Sequence, residues 1–266
     1  MSYIPDPTRD LSRIVDMLRT KHPFCFVRFS DGEIAILRNR YLSIRNGLTN
    51  YQGIISKNNF PAYDDKEFIP SEHKQIRLDL LKAAEARIDD YYKGVPSTHN
   101  NAVADRDLLV ELNGGMSETI TFADLLMNSN YKRYREEVVP LFTSFQSIYI
   151  LANYRAKFSG IIRHAIHIKI PDNFFSNYEN ERSRIISQLH IIPKKAMVLS
   201  SASSLSNIVG HQLFKARPDL TFIDIGTSIN DILGLDSKTR SYHHSYHGLK
   251  RFFPIKRYPS NHWIKW

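Results

Sequence analysis

Between residues 147 and 225 short apolar runs alternate with stretches of helical periodicity, and this alternation constrains the fold more than any other feature of the chain. The spacing predicts strands over 147–152, 165–170, 196–200 and 221–225, with helices over about 157–164, 180–189 and 204–217. Strands joined by helices of this length pair in parallel, because the chain must cross a sheet face before it re-enters beside the strand it left. The expected class is therefore α/β, a Rossmann-like, doubly wound and mainly parallel sheet flanked by helices.

The first half of the chain adds to the same picture. Leu11, Ile14, Val15 and Leu18 mark one face of a helix over 10–20, and Pro23 bars its extension. The run 24–29 is apolar on both alternating faces, as in a strand covered on both sides. Ser30, Asp31 and Gly32 read as a turn, with a second helix from Glu33. A long amphipathic helix is expected over 71–92, an irregular stretch around a short helix over 94–115, and helix in two pieces over 123–142. No repeat or Gly/Ser linker divides the chain. Its 266 residues fit one α/β domain over 1–236 followed by a distinct segment, 237–266.

Charge sets that last segment apart. The chain carries a net charge of +9, of which +7 falls after Asp236, where no acidic residue occurs. Lys250 to Trp266 also interleaves its basic residues with Phe252, Phe253, Tyr258, Trp263 and Trp266. Such a stretch suits an anionic partner, and Trp and Tyr beside Lys and Arg suit a membrane interface. The alternative is that these rings pack a terminal element onto the body. No apolar run reaches the length that spans a bilayer, and the first residues carry no secretory signal, so a cytoplasmic protein is expected, with peripheral contact at an anionic inner membrane face. Its single cysteine, Cys25, lies in an apolar run and reads as a buried, inert thiol.

Ligands of doubly wound sheets sit beyond the carboxyl ends of strands, and three such ends carry polar residues. After the first strand come Arg28, Asp31, Gly32 and Glu33, where a glycine between two carboxylates would let both face one crevice. Hard oxygen ligands suit Mg²⁺ or Mn²⁺ held together with substrate phosphates, and Arg28 suits a phosphate or a carboxylate. The plainer reading makes Asp31 a helix cap and Glu33 a first-turn residue. Ser200, Ser201 and Ser203 open a later helix and can offer donors to an anion, or merely cap it. Asp224 and Gly226 follow the last strand, where Asp224 can accept from a sugar hydroxyl or cap a following helix. Dinucleotide, P-loop and nucleophile-elbow signatures are absent. His243, His244 and His247 have no neighbouring cysteine or carboxylate to complete a zinc site, and read as a phosphate or hydroxyl contact or a solvated surface.

The sequence from Arg28 to Glu33 resembles the Arg-Phe-Gly/Ser-Asp-Gly-Glu signature of bacterial glycosyltransferases with the GT-D fold, with serine at the third position. The likeness extends loosely over 24–233, through 121–126, 148–155, 200–204 and 224–226, and leaves the basic segment without a counterpart. It implies a GT-D-like fold and a metal-dependent transferase moving a sugar from a nucleoside diphosphate sugar to a glycan or lipid-linked acceptor. It further implies Asp31 and Glu33 as metal and catalytic residues, Arg28 as their helper, and Asn153, Ser200, Ser201, Ser203, Asp224 and Gly226 as donor contacts. A nucleic-acid-binding protein or metal-dependent nuclease is the second reading, disfavoured because no nucleic-acid motif occurs and the body lacks a basic stripe.

Overall fold

The largest sheet has seven strands, and each neighbouring pair runs parallel. The computed structural model describes residues 3–44, 49–50, 53–54, 64–97 and 102–235, together with Arg240, Tyr242, His243, Tyr246, Ile264 and Trp266. In chain order α1 is Pro7–Thr20, β1 Cys25–Arg28 and α2 Asp31–Leu37. Two short antiparallel pairs follow, β2 (Leu42–Ser43) with β5 (Glu67–Phe68) and β3 (Thr49–Asn50) with β4 (Gly53–Ile54). Then come α3 (Lys74–Glu85), β6 (Tyr91–Val95), α4 (Ala102–Leu112) and β7 (Ile120–Phe122). Short helical turns over 128–144, with α5 at Tyr131–Arg133, lead into β8 (Ile148–Asn153) and β9 (Ile166–Ile170). The chain continues through α6 (Tyr178–His190), β10 (Met197–Ser201), α7 (Ser204–Ala216) and β11 (Thr221–Asp224).

The sheet order is β7-β6-β1-β11-β10-β8-β9, so the first strand and the last lie side by side at its middle. Both faces are buried. Cys25 and Val27 of β1 belong to a core layer with α2, α3, α6 and α7, while Phe24 and Phe26 belong to a second layer with α1 and the turns over 128–145. Cys25 is fully buried, and burial pushes its thiol well above the ordinary range, which makes it inert. Among the described residues no helix is long and apolar enough to cross a membrane.

Several elements depart from the sequence pattern. The helix expected over 71–92 ends at Glu85, and Tyr91–Val95 is a buried strand between β1 and β7. The side chain of Lys93 reaches back from that strand, where its Nζ donates to the carbonyls of Ala84 and Ala86 at 2.7 Å each, closing the end of α3. Gly94 permits the adjacent edge strand to approach: a Cβ there would lie 2.8 Å from Ala123 Cα. The helix expected over 157–164 is only a single turn, Gly160–Ile162. Its neighbouring backbone donors leave instead for another segment, Lys157 N to Leu233 O at 2.8 Å and Ser159 N to Ile232 O at 3.0 Å. Turns over 226–234 replace the helix foreseen after Asp224.

Candidate active site

The carboxyl ends of β1, β8, β10 and β11 open onto a single cleft of about 600 Å³. Arg28, Asp31, Glu33, Asn153, Ser201, Ser203, Asp224 and Gly226 all line it, although they come from four separate strand ends. Ser200 does not. Its hydroxyl is fully buried and pairs with Ser206 Oγ at 2.8 Å, because alternate residues of β10 point to opposite sides.

Two acidic residues after β1 have different environments. The expected turn is the first turn of α2, with Ser30 as its N-cap, and Gly32 has no left-handed conformation to serve. Glu33 folds back toward Ser30 while Asp31 stays half-buried, and both line the cleft. Glu33 Oε2 accepts from Ser30 N at 3.1 Å and Ser30 Oγ at 2.9 Å, completing a capping box. Its other oxygen, Oε1, accepts from Ser203 Oγ at 3.4 Å, which joins the β1 and β10 loops. Burial raises the Glu33 carboxyl above its ordinary range, and the Ser30 hydrogen bonds oppose that shift.

Arg28 and the buried Asp224 pair across adjacent strands, with Nε 3.3 Å from Oδ2. Arg28 Nη1 also donates to Ala123 O at 3.4 Å. Burial raises the Asp224 carboxyl, while the guanidinium pulls it back. Gly226, at φ +48°, holds the turn that follows and donates its N–H to Asp224 Oδ1 at 3.0 Å. A side chain there would put Cβ 1.9 Å from Arg28 Nη2, so this position needs glycine both for its conformation and for space.

Asn153 has both polar ends engaged, donating to Asp172 Oδ1 at 2.9 Å and accepting from Arg155 N at 3.0 Å. It shapes the cleft wall with Asp172, a residue that carried no signal in the sequence. Asp124 also lines the cleft and accepts from Ser97 Oγ at 3.2 Å. Thr227, Arg240 and Tyr242 complete one side. His243 is neither solvated nor a ligand contact but a buried residue, with Nδ1 2.9 Å from Tyr131 Oη and Nε2 2.8 Å from Thr227 O. His244 and His247 lie outside the described residues, as do Phe252, Phe253, Tyr258 and Trp263.

Among the described residues no group of three or more His, Cys, Asp and Glu is placed to hold a metal ion. Asp31 and Glu33 on their own therefore fit a divalent ion only in the manner of Mg²⁺ sites that one or two carboxylates complete with substrate phosphates and water.

No family model matches the sequence, and neither does any curated protein. Solved structures do resemble it. A selenomethionine-substituted structure of domain of unknown function 1792 is 15% identical, with a TM-score of 0.53 over 91% of this chain and 85% of that one. A second structure of that domain, described as having a distinct glycosyltransferase fold, is 14% identical, with a TM-score of 0.50 and the same coverage of 91% and 85%. A glycosyltransferase of this kind from Streptococcus sanguinis is 12% identical, with a TM-score of 0.50 over 86% of this chain and 85% of its own. With its parallel sheet, flanking helices and strand-end cleft, the chain thus has the glycosyltransferase fold seen in domain of unknown function 1792.

Proposed function

We propose that the protein is a glycosyltransferase that moves a sugar from a nucleoside diphosphate sugar to a hydroxyl of a glycan or lipid-linked acceptor. The observation that carries this reading is the convergence of Arg28, Asp31, Glu33, Ser203 and Asp224 on one cleft at the carboxyl edge of the sheet, in a chain with a glycosyltransferase fold. Ser201 ends β10 and Ser203 caps α7, where backbone N–H groups and hydroxyls suit the phosphate or ribose of a donor. Ser203 Oγ and Glu33 sit together there, so the two loops form one wall.

A bound Mg²⁺ or Mn²⁺ would supply charge neutralisation for the departing diphosphate, and Asp31 with Glu33 would hold it. The protein's own groups orient the donor. Arg28, fixed by Asp224 and Ala123, keeps its guanidinium at the cleft floor. Asn207 Nδ2 donates to Arg28 O at 2.9 Å and secures the end of β1 beneath it.

The nuclease reading loses support from the lining itself, which carries six carboxylates against three cationic side chains and suits a polyanionic backbone poorly. The test is a panel of nucleotide sugars with Mn²⁺, scored for release of nucleoside diphosphate. Metal-dependent release by one donor supports the transferase; no release from any donor, with salt-steep retention on DNA or RNA, rejects it in favour of the second reading.

A further inference from the structure

We infer that Arg240, from the basic C-terminal stretch, is the side chain that receives the diphosphate of the ligand in this cleft. The inference rests on the glycosyltransferase reading and adds to it the residue that recognises the anion.

The charge balance of the cleft is the first argument. Of its three cationic side chains, Arg28 is paired with Asp224 and Lys66 with Asp64. Asp31, Glu33 and Asp124 add negative charge to the same walls. A diphosphate entering this space meets like charge on several sides, while two of the three cations already answer a carboxylate. Among the described residues Arg240 is the cleft-lining cation with no carboxylate at ion-pair distance. Its planar fork matches phosphate oxygens in pairs.

The second argument is that Arg240 is held in place. Its carbonyl accepts from His243 N at 3.1 Å. Tyr242 and His243 are both buried, and both bond to Thr227, Tyr242 through its hydroxyl and His243 through Nε2 at 2.8 Å. The rings of Tyr131 and Tyr242 lie 4.7 Å apart. These contacts fasten Tyr242 and His243, and through the His243 N–H the backbone of Arg240, to the turn after β11, the turn in which Gly226 makes room for Arg28. Burial raises the Tyr242 phenol, and its Thr227 hydrogen bond, followed by the charges of Arg240 and Arg28, pulls it back.

The experiment measures binding of UDP, GDP, ADP, CDP and dTDP by calorimetry with Mn²⁺ at several salt concentrations, for the wild type, Arg240→Gln and Arg240→Lys. For the nucleotide that binds, Arg240→Gln is expected to weaken affinity about 10- to 100-fold, the range for losing a hydrogen bond to a charged group. It is also expected to flatten the salt dependence while leaving the melting temperature unchanged, and Arg240→Lys should restore part of both. A wild type that binds none of the five overturns the glycosyltransferase reading and this inference with it. A wild type that binds, with Arg240→Gln binding equally well, overturns the role of Arg240 and leaves that reading standing. If Arg240→Gln weakens binding but keeps the wild-type salt dependence, the residue acts through the fold and the inference is likewise wrong.

Discussion

The Arg28 guanidinium and the Asp224 carboxylate, 196 residues apart in the chain, meet at the ends of two adjacent central strands, with Asp224 buried and Arg28 13% exposed. Removing one partner from such a pair leaves an uncompensated charge in a place water reaches poorly. Asp224→Asn is therefore expected to destabilise the fold by about 3–5 kcal/mol, read from urea unfolding. Replacing both residues, Arg28→Met with Asp224→Leu, should recover much of that loss without recovering turnover. An Asp224→Asn variant as stable as the wild type would mean that the pair is solvated and weak.

Asp31→Asn and Glu33→Gln should each abolish metal-dependent donor turnover and leave the fold intact. Glutamine still accepts from Ser30 N and Oγ, so the capping box survives. Full activity in both variants would remove these residues from the site.

Glu33 also gives a pH signature. Its carboxyl is raised above the ordinary value by burial, so between the unfolded and the raised folded pKa the native state holds more protons than the unfolded one. Its contribution to stability therefore falls as pH rises through that window. Glu33→Gln should erase this dependence and be no less stable at neutral pH, as unfolding at a series of pH values from 4 upward would reveal. Retention of the wild-type slope by Glu33→Gln would assign the slope elsewhere.

Lys93 gives the opposite signature in the alkaline range. Burial lowers its ammonium from 10.5 to about 7, with Arg87 adding to the shift. Above about 7 the native side chain sheds a proton that the unfolded chain keeps until about 10.5. Stability contributed by this group therefore rises with pH across that interval, by at most about 1.4 kcal/mol per pH unit. Lys93→Met should flatten the rise, and its absence in the wild type would show that the ammonium stays charged against the Ala84 and Ala86 carbonyls.

The C-terminal residues are partly structural. Ile264 is buried, and the Trp266 ring meets Phe122 edge-on at 5.8 Å while Arg106 lies 4.9 Å over it. Deleting residues 257–266 is expected to lower the melting temperature by a few degrees, to weaken binding to anionic vesicles at low salt and to spare metal-dependent donor hydrolysis. If the intact protein ignores such vesicles, the basic and aromatic residues serve packing and ligand binding alone.

The sequence by itself determined the class of fold and the edge of the sheet where the candidate site residues gather. Apolar runs with both faces covered identify β1, β10 and β11 because alternation and length are local properties, and the polar residues just after each strand can only lie at its carboxyl end. Helical spacing that runs on through Ile88 and Tyr91 hid β6, since its burial comes from β1 and β7 rather than from its own pattern. Which residues of the strand ends share the cleft was decided by tertiary structure. Ser203 reaches Glu33 across 170 residues of chain, whereas Ser200, three positions earlier, turns into the core. The pairing of Arg28 with Asp224, the clearance that Gly226 provides and the placing of Arg240 on the cleft wall are likewise contacts between distant segments. Charge and hydrogen-bonding capacity belong to each residue alone, but which partner satisfies them depends on strand order and burial, and those exist only once the sheet has formed.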